Sequence, residues 1–538
     1  MPHTAGATRR PEPDHPMTLA PWRLAPLCLL LLAACSKTPE TAAPAAPATP
    51  PAVPAASGSA AVAWFKGDVD AAFAEAKRSN KPVFLYWGAV WCPYCNQVKA
   101  TLFNRADFAE RAKQFIPLEL DGDSPEGQKL AARFKVRGYP TMILFRPDGT
   151  ELTRLPGEVD AQRYLQVLAL GMNANRPVKE VLAAALAGKP TTADDWRLLA
   201  FYPFDADEEQ LVSKAALPGT LARLAAAVPP AEAELATRLA LKAFVAQAQV
   251  EPLPKLAGDA GAQLLAKLLA GPAEVRSHFD LLIVDPDKVV TLLTPAGGAP
   301  RLALAAQWSK SLESLTQDAT LSTTDRLSAL GARVALGKLA GATPLDPALL
   351  RSQVSAADAA SSNGFERQSV IYTAAGVLTD AGLLDDSDAL LKAELKRSHA
   401  PYYFMRMLGG NAKKRGDVAA ALKWYEEAWT ASQGSATRLQ WGGGYLNGLL
   451  DLAPSDEARI EVASSKLFAE TASTPNAFYE RNRAVLERSA KKLAEWNAGG
   501  KHQASYRRIV AQAAQMCAKL PADDAQRPVC EGLFKARG

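Results

Sequence analysis

The stretch Val83-Phe84-Leu85-Tyr86-Trp87-Gly88-Ala89-Val90-Trp91-Cys92-Pro93-Tyr94-Cys95 decides the fold of the amino-terminal domain. Val83 to Trp87 is a continuous apolar run, the pattern of a strand buried on both faces. Cys92 stands where that strand gives way to a helix continuing through Val98 and Leu102. Pro93 suits the first helical position because it has no N–H to satisfy there. The N–H groups and macrodipole of a helix start favour a thiolate, so Cys92 is expected to ionise readily. Cys95 lies one turn on, close enough to form a disulfide with it. The pattern predicts thiol–disulfide exchange, with Cys92 attacking a disulfide and Cys95 resolving the mixed disulfide. Two other readings compete. Half a zinc site would need further ligands, but the sequence has no second Cys-x-x-Cys and no nearby histidine. A purely structural disulfide across so short a loop would constrain little.

Working outward, Asp68 is placed to cap a helix that carries Val69, Phe73 and Ala76 inward and ends near Asn80. Lys81-Pro82 then opens the strand. Downstream, a helix at 106–113 leads to a strand near Phe115 to Leu120 and to a helix over 125–134. Gly138-Tyr139-Pro140-Thr141 precedes a strand from Met142 to Phe145. Pro147-Asp148-Gly149 turns the chain into Glu151 to Leu155, and Asp160 caps a closing helix through Tyr164, Leu165 and Leu168.

This order, with Trp-Cys-x-x-Cys after an apolar strand and Tyr-Pro-Thr about 45 residues later, resembles the thioredoxin family. The likeness is strongest to the periplasmic C-terminal domain of transmembrane disulfide reductases. It implies an α/β thioredoxin fold over residues 62–175, a central mixed sheet flanked by helices. It implies that Pro140 is a cis-proline facing the cysteines and that the backbone of Tyr139 pairs with the substrate chain. Trp91, Pro93 and Tyr94 would share that substrate-binding surface. No cofactor is implied, since the two sulfurs hold the exchanged electrons. Two positions depart from the family. Thioredoxins carry a buried acid six residues before the first cysteine, where this chain has Tyr86. The proton acceptor for Cys95 is therefore open, with Glu119 and Asp121 as candidates and ordinary solvated charge as the alternative for both. The intervening Pro93-Tyr94 is the glutaredoxin dipeptide, so the direction of electron flow is not legible from it.

At the amino terminus, Arg23 precedes a short apolar run from Leu24 to Leu32, and Leu32-Ala33-Ala34-Cys35 follows. The run is short for a membrane span and fits a signal-peptide core over residues 1–34, with Met17 a candidate start. The residues before Cys35 resemble the bacterial lipobox, which implies acylation of Cys35; ordinary cleavage without lipidation is the alternative. Ser36 after that cysteine implies, by resemblance to Gram-negative lipoproteins, the outer membrane. Residues 35–61 read as an extended tether, whose stretch from Thr38 to Ala61, dominated by Ala, Pro, Thr and Ser, reaches at most ~75 Å. The expected location is thus the periplasmic side of a bacterial cell envelope.

Beyond Asn175 the apolar residues recur at three-to-four spacing, as in Leu221, Leu224, Ala225 and Val228. Only Leu281-Leu282-Ile283-Val284 leaves room for a strand. The remainder reads as a large all-α region, divided at 176–370 and 371–538. Gly409 to Thr430 resembles one tetratricopeptide repeat, and Gly382 and Gly416 are spaced 34 apart, the period of that repeat. The resemblance implies a tetratricopeptide-like solenoid. Trp424, Tyr425, Trp429 and Trp441 would either line a partner-binding face or fill the inter-helix core. Cys517 and Cys530 are candidates for a structural disulfide, with two unpaired thiols the alternative.

Net charge is +5 and 22% of residues are charged, with no basic block interleaved with aromatics, so no nucleic-acid surface is expected. The histidines are scattered and imply no metal site. The function expected is a lipid-anchored envelope thiol–disulfide oxidoreductase. Its partners would be envelope proteins with cysteines or disulfides and a membrane disulfide reductase, with the reductase direction favoured by the resemblance. The alternative is a helical-repeat adaptor or chaperone-like lipoprotein whose redox domain is an accessory or sensor.

Overall fold

The computed structural model describes residues 62–535, except 158–159, 255, 257 and 295–297. The leader, Cys35 and the tether lie outside the described residues. Helix α1 (Val69–Ser79) begins where the Asp68 carboxylate accepts the Ala71 N–H at 2.7 Å, and it stops at Asn80, whose φ is 53°. The chain then enters β1 (Val83–Gly88), buried along its whole length. Helix α2 (Pro93–Val98) runs into a wide π turn over Lys99–Phe103, and α3 (Ala106–Ala112) follows. After β2 (Ile116–Asp121) come α4 (Pro125–Phe134), β3 (Thr141–Phe145), β4 (Glu151–Leu155) and α5 (Ala161–Met172).

The four strands form one sheet in the order β2-β1-β3-β4. β1 is parallel to β2 and antiparallel to β3, which is antiparallel to β4. Period-2 alternation sends Phe84 and Tyr86 to one face with Met142 and Leu144. Val83, Leu85 and Trp87 go to the other, with Ile116, Leu118, Ile143 and Phe145. Covering both faces explains why β1 reads as an unbroken apolar run. It also places Cys92 at the carboxyl end of a central strand.

From Val178 onward every described element is a helix. Leu281 to Val284 is no exception. Phe279–Leu282 is a helical turn, with buried Phe279 and Leu282 three residues apart rather than two. Gly382 and Gly416 have φ of 81° and 78°. Each turns the chain between consecutive packed helices: Gly364–Asp380 and Leu384–Glu394, then Pro401–Lys414 and Val418–Ala431. Trp429 and Trp441 are buried, and the Trp429 indole lies so close to Gly442 that a Cβ there would collide with it. Cys517 and Cys530 are bonded to each other. Among the described residues, no helix is long and apolar enough to cross a membrane.

The helical region folds back onto the α/β domain. Helix Gly364–Asp380 packs across α2, and helices Ser435–Leu452 and Glu480–Trp496 pack on α4. One apolar core continues from Phe84, Cys95 and Leu144 into Trp196, Leu439, Trp441 and Leu486. The surface covered in this way is the one that carries Cys92.

Candidate active site

Cys92 is the N-cap of α2, and its sulfur accepts the Cys95 N–H at 3.2 Å. On the opposite side, the Cys92 Sγ–H donates to the Tyr139 carbonyl at 3.6 Å, and the Tyr139–Pro140 bond is cis. The Asn96 amide pins the loop by donating to the carbonyls of Val90 and Cys92, both at 2.7 Å. Cys92 and Cys95 are free thiols. The fold therefore gathers Trp91, Cys92, Pro93, Tyr94 and Cys95 from the start of α2, and Tyr139 and Pro140 from the loop before β3, at one end of the sheet.

The electrostatics of the pair depart from the reading of a readily ionised Cys92. Burial pushes the Cys92 thiol well above its usual value, and the Cys95 thiol beside it adds to the rise. The Cys95 N–H and the Arg481 guanidinium pull the other way and are outweighed. The helix start acts on the sulfur as the sequence suggests, but water has been removed from around it. For Cys95, burial opposes ionisation too. Its neighbours Cys92, the Ala89 backbone and Tyr86, together with the charge of Lys99, bring its thiol below the usual value. Tyr86, where thioredoxins have their acid, is buried at the pair. Burial first, and then the cysteines, hold its phenol well above the usual value, so it stays neutral beside the pair.

Glu119 pairs with Lys99 at 2.9 Å, and Asp121 accepts the Asp123 N–H at 2.9 Å. Among the described residues neither makes a hydrogen bond to a cysteine. Sequence reasoning missed the buried acid that does sit in the site, Asp123. Its Oδ2 accepts the Trp91 Nε1–H at 3.2 Å and the Thr437 hydroxyl, and its Oδ1 has no partner. Burial raises its carboxyl to about 6. Asp121-Gly122-Asp123-Ser124 reads as a turn, and nothing local signals that Thr437 will bury it. Among the described residues there is no cluster of three or more His, Cys, Asp or Glu able to hold a metal ion.

The helical region closes over this end of the sheet. The Trp91 ring stacks on Tyr403 at 5.4 Å and meets Trp441 edge-on at 5.1 Å and Tyr139 at 5.7 Å. The Arg481 guanidinium lies 5.2 Å from the Trp91 ring centre and 4.8 Å from that of Tyr139. Gln368 donates to the Trp91 carbonyl at 3.3 Å, and the His399 imidazole reaches the Val90 carbonyl at 3.1 Å. Tyr94 meets Tyr372 edge-on, and Gln97 donates to Asp325 at 2.7 Å. Cys92 is 3% exposed and Cys95 0%. Of this cover the sequence singled out Trp441, as an aromatic of a partner-binding face or the core, while Tyr403 and Arg481 have no signature in it.

Residues 69–171 match the model of the Thioredoxin-like domain family. Over 103 residues the chain is 35% identical to the thiol:disulfide interchange protein DsbD of Pseudomonas fluorescens, which is 18% of each chain. It is 32% identical over 97 residues to DsbD 1 of Pseudomonas aeruginosa, covering 17% of this chain and 16% of that one. The chain thus spans less than a fifth of the length of these relatives. Among solved structures, a DsbH oxidoreductase aligns with a TM-score of 0.20 and 20% identity, covering 22% of this chain and 89% of its own. A thioredoxin from Thermus thermophilus aligns with a TM-score of 0.19 and 27% identity, covering 20% and 85%. Residues 69–171 are a thioredoxin-like domain, homologous to the thiol:disulfide interchange proteins and continued by a long all-helical region.

Proposed function

We propose that this chain is a thiol–disulfide oxidoreductase of the bacterial cell envelope that exchanges disulfides with envelope proteins through Cys92 and Cys95. The observation that carries the reading is the pair of free thiols at a helix start with the Tyr139 carbonyl 3.6 Å from the Cys92 sulfur. The Cys92 thiolate attacks one sulfur of a substrate disulfide, forming a mixed disulfide and releasing a substrate thiolate. The Cys95 thiolate then attacks the Cys92 sulfur, closing the Cys92–Cys95 bond and releasing the second. Two electrons pass to the substrate, and a dithiol donor must restore the couple. The neighbouring Cys92 and the charge of Lys99 favour the Cys95 thiolate needed for the second attack. Homology to interchange proteins supports a membrane disulfide reductase as that donor and supports the reductive direction. The apolar run and Cys35 support lipid anchoring, with the outer membrane favoured by Ser36. The two left-handed glycine turns spaced 34 apart support tetratricopeptide-like packing within 371–538.

Cys95→Ser in the full chain tests this reading, because it lets the mixed disulfide form but not resolve. Expressed in its envelope, the variant is expected to hold other envelope proteins in reducible adducts through Cys92. Cys92→Ser in the same background is expected to abolish them. A folded Cys95→Ser protein that captures nothing would remove the proposal and favour an adaptor role for the helical region.

A further inference from the structure

A sulfur attacks a disulfide only along an open line of approach, and the helical region occupies that line. The two residues flanking the nucleophile's loop, Val90 and Tyr94, are exposed, whereas Trp91 and Cys92 between them are buried. Much of the covering contact is polar: Gln368 on the Trp91 carbonyl, His399 on the Val90 carbonyl, Thr437 on Asp123, the Asn482 N–H on Gln128 at 3.3 Å and Arg137 on Glu480 at 3.0 Å. Water can replace contacts of this kind, whereas the apolar core beneath them continues across the interface. Three side chains of the helical region grip differently, enclosing the Trp91 ring: Tyr403 on its face, Trp441 at its edge and Arg481 over both Trp91 and Tyr139.

We propose that Tyr403, Trp441 and Arg481 are specificity-determining residues for the exchange reaction: they clamp Trp91 and keep the helical region seated on the redox face, so a disulfide reaches Cys92 only when its carrier displaces them. This deepens the exchange reading and rests on it. A carrier that offers Trp91 an equivalent aromatic and cationic surface gains access, while a disulfide lacking one meets a closed site.

The test is the rate at which iodoacetamide alkylates Cys92 in the reduced full chain, located by peptide mass. Wild type is expected to react slowly, and Tyr403→Ala, Trp441→Ala and Arg481→Gln each about tenfold faster, the size of one lost ring or cation contact. Arg481→Lys keeps a cation over the rings and is expected to stay near the wild-type rate. The arginine variant separates two roles. Loss of a positive charge lowers the thiolate fraction and slows alkylation, so a faster rate can come only from opening. Cys95 serves as the internal check, since it stays unmodified if the gate opens and reacts alongside Cys92 if the domain unfolds. Folded variants no faster than wild type, or Cys95 modified in step with Cys92, would overturn the proposal. Alkylation needs no exchange partner, so failure of Cys95→Ser to capture envelope proteins would sink the exchange reading and leave this result standing.

Discussion

At the scale of single residues, the site is governed by what burial does to charge. Asp123 shows it most simply. Its carboxyl is raised by burial to about 6, above the value it takes in an unfolded chain. Between about pH 4 and 6 the folded protein therefore holds more protons than the unfolded one, and stability falls as pH rises through that window. The loss is complete above pH 6 and amounts to about 3 kcal/mol. Asp123→Asn removes this titration. Its stability relative to wild type is expected to grow by up to about 3 kcal/mol from pH 4 to pH 7 in denaturant melts. A pH-independent difference would show that Asp123 is solvated. The sequence singled out Cys92 and Cys95 because their spacing is itself the chemistry, and Tyr139 and Pro140 through a family likeness. Asp123 and Arg481 were not legible. What makes them part of the site is Thr437, Trp91 and Tyr139, each hundreds of residues from its partner and outside any local pattern.

At the scale of elements, the α/β domain was legible almost strand by strand, since each boundary has a local physical cause. Asp68, Ser124 and Asp160 cap helices with their own side chains, and Asp148 and Gly149 make the turn into β4. The helical region was legible as helix but not as arrangement. Three-to-four spacing fixes which face is apolar and leaves open which neighbour covers it. Leu281 to Val284 shows the limit, because four apolar residues in a row suit either element until Phe279 is seen to share a face with Leu282. The aromatic residues illustrate the same gap: Trp441 packs against the redox loop and Trp429 fills the space over Gly442. At the carboxyl end the Cys517–Cys530 bond closes a loop of sequence separation 13 between helices Gln503–Ala518 and Gln526–Gly532. Replacing both cysteines with alanine is expected to lower the unfolding free energy by about 3 kcal/mol. A change near zero would mean that packing alone holds the end of the chain.

At the scale of the whole molecule, the thioredoxin-like domain and the helical region act as one device. The domain supplies the couple, whose Cys92 thiol is raised by burial, and the helices cover the loop that carries it. A chain built this way protects a reactive dithiol until a partner competes for the same face. All of it presupposes that Cys92 and Cys95 form a reversible couple, and one equilibrium measurement addresses that directly. The full chain is held in thiol–disulfide buffers of stepped potential, and the oxidation of Cys92 and Cys95 is counted by mass. A reversible two-electron transition joining these two residues is predicted, with a midpoint nearer roughly −270 mV than roughly −120 mV for the reductive direction. Thiols that stay reduced across the whole range, or that oxidise only to partners other than each other, would contradict it.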